Sequence, residues 1–85
     1  LSRHKKNPYE PEAVDVVSRE GLPVAVTIRK RRLPVREILN TWRIDEEWWR
    51  TPITRRYFLL QLDNGTRATV FHDLEHNGWY RQGWI

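Results

Sequence analysis

Cysteine and methionine are both absent from the 85 residues, glycine occurs four times and phenylalanine twice. Without cysteine there is no disulfide framework, no thiolate metal site and no cysteine nucleophile. Apolar residues make up only 39% of the chain, and no run approaches the roughly 18 apolar residues that cross a membrane. An apolar signal-peptide core is also missing near the N-terminus, so the expected compartment is the cytoplasm, with no membrane partner. A chain of this length makes one domain, close to the lower limit for folding without disulfides or metal. It opens on Leu1 rather than methionine, which reads as a processed chain, an incomplete one or a piece of a longer protein.

Against these absences stand five tryptophans and twelve arginines, the latter four times as many as the lysines. One indole can bury some 150–250 Å², an efficient way to build a small core, and that is the plain reading of Trp42, Trp48, Trp49, Trp79 and Trp84. The sharper reading is that one or two of them line a contact surface. Lys and Arg outnumber Asp and Glu by 15 to 11, a net charge of +4, which permits an anionic partner without requiring one.

Patterning along the chain is that of strands. Residues 1–11 are polar, basic and interrupted by Pro8 and Pro11, and read as a tail or linker; residues 12–85 form the single domain. Ala13 to Ser18 and Pro23 to Arg29 are strands joined by a turn at Arg19-Glu20-Gly21. Arg29 to Arg32 is a tight exposed turn. Over Leu33 to Arg43 the apolar residues Val35, Ile38, Leu39 and Trp42 fall at helical spacing. Asn40, Thr41 and the neighbouring strands favour instead a long strand with a bulge near Arg36–Glu37. Asp45 can cap a single helical turn over 45–49, which Pro52 ends. Thr54 to Asp63 and Thr66 to His72 form a hairpin about Asn64-Gly65, the strongest turn signal in the chain. With Asp63 opposite Thr66, Phe58 faces Phe71 and Leu59 faces Val70, so Phe58, Leu60, Leu62 and Phe71 share the core face. A turn at Leu74–Gly78 leads to a last strand, Gly78 to Trp84. The sum is an all-β, strongly curled antiparallel meander of about six strands, a partly open small barrel.

Three chemistries can be weighed on these residues. Arg29, Lys30, Arg31, Arg32 and Arg36 are candidate phosphate contacts, since cations beside rings are how small barrels hold single-stranded nucleic acid. The plainer alternative is a solvated hairpin tip. His72 and His76, with Asp73 and Glu75, are the one cluster with metal-ligand residue types, but they span a strand end and a turn, and no metal or cofactor is expected. Catalysis lacks material as well. Asp45, Glu46 and Glu47 are consecutive and diverge, while Ser2 and Ser18 sit in no nucleophile setting. The expectation is that the chain is not an enzyme.

The segments Trp42-Arg43-Ile44-Asp45-Glu46-Glu47-Trp48-Trp49-Arg50, Arg56-Tyr57-Phe58, Phe71-His72-Asp73-Leu74 and Gly78-Trp79-Tyr80 resemble a small bacterial domain of unknown function. They are also similar to the C-terminal tail of ImuB-type proteins, inactive homologues of Y-family polymerases. The resemblance spans roughly residues 12 to 82 and implies contact with partner proteins of DNA-damage tolerance; it carries no catalytic residues. Because Trp48 and Trp49 are adjacent, they cannot share one pocket. One of them, rimmed by Arg43, Arg50 and Arg55, is the expected interaction hot spot. The function expected is a non-catalytic binding module contacting a partner protein, nucleic acid or both; the alternative is a structural or oligomerising appendage.

Overall fold

A computed structural model describes residues 11–48 and 51–82, apart from the side chains of Glu47, Trp48 and Thr51. Seven antiparallel strands follow one another: β1 (Glu12–Ala13), β2 (Asp15–Arg19), β3 (Leu22–Ile28), β4 (Arg31–Trp48), β5 (Thr51–Leu62), β6 (Arg67–Asp73) and β7 (Gly78–Arg81). They lie in the order β1-β7-β6-β5-β4-β3-β2. The two outermost strands are thus consecutive stretches of one segment. Glu12 and Ala13 pair with Arg81 and Tyr80, Val14 N–H donates to the Trp79 carbonyl (3.1 Å), and from Asp15 the chain pairs with β3 instead. This brief switch of neighbours brings the two ends of the curled sheet together, which is how a small sheet limits its exposed edges.

β4 carries the curvature. Eighteen residues at about 3.3 Å each would run nearly 60 Å if straight, yet the longest dimension of the molecule is 39 Å. Register against β5 shifts between Val35 and Glu37, as the bulge expected there requires, and again between Ile38 and Asn40. Each bulge inserts one residue and reverses the inside–outside phase. Val35, Ile38 and Thr41 therefore all face β5 residues of the inner surface, Leu62, Leu60 and Phe58. Two bulges three residues apart mimic the spacing of a helix, which explains the ambiguity of this segment in sequence.

Two expectations need correction. Residues 45–48 are strand, not a helical turn: Asp45, Glu46, Glu47 and Trp48 pair with Thr54, Ile53, Pro52 and Thr51. The Asp45 carboxylate that would have capped a helix accepts the Arg43 Nε–H at 2.9 Å instead. Residue 49, the remainder of that turn, lies outside the described residues. Pro52 sits within β5 where β6 does not reach, since β5–β6 pairing begins at Arg55–Asp73, so its missing N–H interrupts no ladder on that side.

The second correction concerns the β5–β6 hairpin. Leu62 N–H donates to the Thr66 carbonyl and Gly65 N–H to the Leu62 carbonyl (2.8 and 3.0 Å), and Gly65 has φ +88°. The loop is Asp63-Asn64-Gly65, three residues ending in a left-handed glycine, rather than Asn64-Gly65 alone. That single residue shifts the register so that Phe58 faces Val70 and Tyr57 faces Phe71. Val70, not Phe71, joins Val26, Phe58, Leu60, Leu62 and Ala68 in the interior, with Val14, Val16, Ile28, Leu33, Val35, Ile38 and Trp79 around them. A slip of one residue exchanges the two faces of a strand: Phe71 is buried as expected, but on the opposite face of the sheet, against Tyr57.

Candidate functional site

The register places one aromatic residue from each of four successive strands in a single row: Trp42 on β4 faces Tyr57 on β5, which faces Phe71 on β6, which faces Tyr80 on β7. The rings touch in sequence. Centroids are 5.3 Å apart for Trp42–Tyr57 with planes 5° from parallel, 4.9 Å for Tyr57–Phe71 and 5.3 Å for Phe71–Tyr80. Directly opposed rings contribute about 0.5–1.5 kcal/mol a pair beyond their burial. The row lies on the face away from the core. Phe71 is 1% exposed and Tyr57 8%, while Trp42, at the end of the row, is 38% exposed.

Arg55 lies along this row. Its guanidinium carbon is 4.4 Å from the Phe71 ring centroid, and Nη1 donates to the Tyr57 hydroxyl at 3.2 Å. Its Nε is buried and makes no hydrogen bond among the described residues, although buried donors are nearly always paired. Beside it, Pro11, Arg55, Phe71, Asp73 and Tyr80 line a shallow cavity of about 310 Å³. The outer face thus exposes Trp42 at the end of the row, while Phe71, Tyr57 and the Arg55 Nε beneath it are covered.

The expected hot spot is divided by this geometry. Arg43 and Arg55 lie on opposite faces of the β4–β5 pair, because Arg43 stands opposite Arg56 whereas Arg55 stands opposite Ile44. Arg43 is also ion-paired with Asp45. Trp48 ends β4 opposite Thr51, and Trp49 and Arg50 lie outside the described residues. Of the two remaining described tryptophans, Trp79 faces inward, stacked on His72 (4.4 Å, planes 3° apart) and against Phe58. Among the tryptophans whose side chains are described, Trp42 is the one that reaches the outer surface. The signal that could have found it was the β5–β6 register: with Phe71 taken as core, the row had a gap in its middle.

The basic run also divides. Arg29 and Lys30 form the tip between β3 and β4, with φ of 53° and 68°. Arg31 stands opposite Ile28 and Arg32 opposite Thr27, so these two arginines point to different faces. Arg36 sits at the first bulge and is exposed.

His72 and His76 do not converge. His72 Nε2 is 2.8 Å from Asn77 Oδ1, whereas His76 Nδ1 is 3.2 Å from Asp73 Oδ2. Among the described residues no group of three or more His, Asp or Glu side chains could hold a metal ion. Asp73 organises the β6–β7 turn, its Oδ1 accepting the N–H groups of Glu75 (2.9 Å) and His76 (3.2 Å). Partial burial pushes its carboxyl upward, but the His76 ring and these two backbone donors outweigh that and hold it below the usual carboxylate range. Compared with known proteins, the chain matches no family model, no curated protein and no solved structure.

Proposed function

We propose that the chain is a non-catalytic binding module whose outer arginine–aromatic face contacts another macromolecule, in the first place a partner protein. The observation that carries this reading is the ring row that ends in the exposed Trp42, held by the buried Tyr57 and Phe71 with Arg55 stacked along them. Tryptophan, tyrosine and arginine dominate the energetics of protein interfaces because they desolvate large area at little conformational cost. Arg55 and Asp73 on one face give mixed charge, which suits a protein surface better than a polyanion. The link to DNA-damage tolerance rests on the sequence resemblance alone.

The test is affinity capture from the organism that carries the gene, followed by direct titration of the captured protein once purified. Trp42→Ser removes exposed ring area and leaves the interior intact, so capture and titration are both lost while the melting temperature stays within a few degrees. Binding that survives this substitution contradicts the reading. A second reading, an oligomerising appendage, draws on the edge of β4: β3 pairs with it only from Arg31 to Pro34, whereas β5 follows it to Trp48. An unpaired edge is a template for another strand, and this reading requires a mass in light scattering that rises with concentration.

A further inference from the structure

We propose that the end of the barrel carrying the β3–β4 and β5–β6 turns is a phosphate-binding site for a single-stranded nucleic-acid backbone, centred on Arg29, Arg31 and Arg81. This site is separate from the outer aromatic face and does not rest on the reading given for it. Ile28, Arg29, Arg31, Leu33, Asn64, Thr66 and Arg81 line a cavity of about 280 Å³. The three arginines come from a turn and two strands 50 residues apart in sequence, so the fold, not the sequence run, assembles them. Among the described residues no acid lines this cavity and none of the three arginines is ion-paired. Like charges gathered in one cavity repel one another, a cost that a bound anion lowers; the nearest described acid, Glu12, stands opposite Arg81 and lines the adjoining cavity instead.

The second observation is the backbone. A two-residue turn with both φ positive strongly favours Asn-Gly or a similar pair, yet Arg29 and Lys30 hold it here at 53° and 68°. Non-glycine residues in that region carry strain, and strain that persists clusters at functional sites. The turn keeps its cations at the expense of its conformation.

The third observation selects a chain over a single anion. Ile28, Arg29 and Arg81 also line an adjoining cavity of about 350 Å³, together with Glu12, Ala13, Val14, Thr27. Arg29 and Arg81 therefore stand between two neighbouring cavities, an arrangement suited to successive phosphates of one strand. Ile28 and Leu33 supply apolar floor for a sugar or base edge, and Asn64 and Thr66 supply polar groups. Arginine's planar fork fits a phosphodiester with two hydrogen bonds at once.

Fluorescence anisotropy of a labelled oligo-thymidylate, titrated with the full chain at low and moderate salt, tests the assignment. Arg29→Gln with Arg31→Gln weakens binding at least tenfold and lowers the slope of log affinity against log salt by about 1.4, two single-strand phosphate contacts at ~0.7 each. Arg19→Gln with Arg32→Gln removes the same charge from outside the cavity and changes affinity less than about twofold. All four positions are exposed, so both variants stay folded, as a melting curve checks; Arg81→Gln repeats the test from β7. Equal loss in the two pairs overturns the site in favour of diffuse charge, and so does absence of oligonucleotide binding at low salt. Inorganic phosphate or thymidine monophosphate competing as well, per phosphate, as the oligonucleotide overturns the backbone assignment. Polyglutamate competing equally overturns phosphate recognition. Trp42→Ser leaves oligonucleotide affinity unchanged even if it abolishes partner capture; a loss here would move the nucleic acid to the outer face and overturn the assignment.

Discussion

Trp42 and Tyr57 face each other across the β4–β5 pair with ring centroids 5.3 Å apart and planes within 5° of parallel, which makes the exposed indole the end of a stack rather than an isolated surface ring. Phe71 and Tyr80 continue the stack over β6 and β7. The buried members hold the exposed one in place, so a partner meets a preorganised surface and spends little on ordering it.

The interior middle of this arrangement is structural. Phe71→Ala should destabilise the fold by about 3–5 kcal/mol, the range for removing a buried aromatic ring. Trp42→Ser should cost much less, because the indole is 38% exposed. Urea denaturation of the two variants checks the contrast, and equal costs would mean that the row is core throughout.

The three-residue β5–β6 loop makes its own prediction. Val70 is fully buried, so Val70→Thr, which introduces a hydroxyl at nearly constant shape, should cost about 1–3 kcal/mol. A Cβ on Gly65 would meet nothing within 4 Å, so Gly65→Ala should cost only the left-handed backbone strain, about 1 kcal/mol. A neutral Val70→Thr would return the hairpin to the two-residue register.

The β3–β4 tip should show stability and binding moving in opposite directions. Arg29→Asn with Lys30→Gly gives the turn its preferred residues and should raise stability by about 1–2 kcal/mol. The same change removes Arg29 from both cavities and should weaken oligonucleotide binding. Thermal melts and anisotropy on one preparation measure both effects; a destabilised variant would show that the arginine and lysine are needed for the turn itself.

Asp73 sets a pH dependence. Its carboxyl titrates below the usual range in the folded chain, so it stabilises the fold above its unfolded-state pKa, and this contribution is lost as pH falls through the folded value. Asp73→Ala removes the acceptor for the Glu75 and His76 N–H groups and should cost about 1–2 kcal/mol at neutral pH. The difference from the parent should shrink in acid. Asp73→Asn, which keeps an acceptor oxygen, should lose less. Denaturant midpoints across the acid range check both statements.

Much of the architecture was legible in the residues. Alternation in Val24-Ala25-Val26-Thr27-Ile28, the Glu20-Gly21 turn and the Asn64-Gly65 pair led to the all-β curled meander, and the bulge at Arg36–Glu37 followed from the changing phase of Val35 and Ile38. The second bulge at Leu39 was hidden, because two phase reversals in succession read as helical spacing. The end of β4 was misread because Asp45-Glu46-Glu47 satisfies a capping rule that cross-strand pairing overrides. The outer ring row was lost to one residue of loop length: Asn-Gly suits a two-residue turn, and the choice of three residues depends on long-range pairing. Arg81 was missed for a similar reason, since only the closure of β7 against β1 brings it beside Arg29.

The most direct measurement is a matched pair on Trp42→Ser: its melting temperature, and its binding to the partner captured by the parent chain. A fold intact to within a few degrees together with at least tenfold weaker binding is the predicted result. Undiminished binding, or a chain that unfolds when this one indole is removed, would contradict the contact surface.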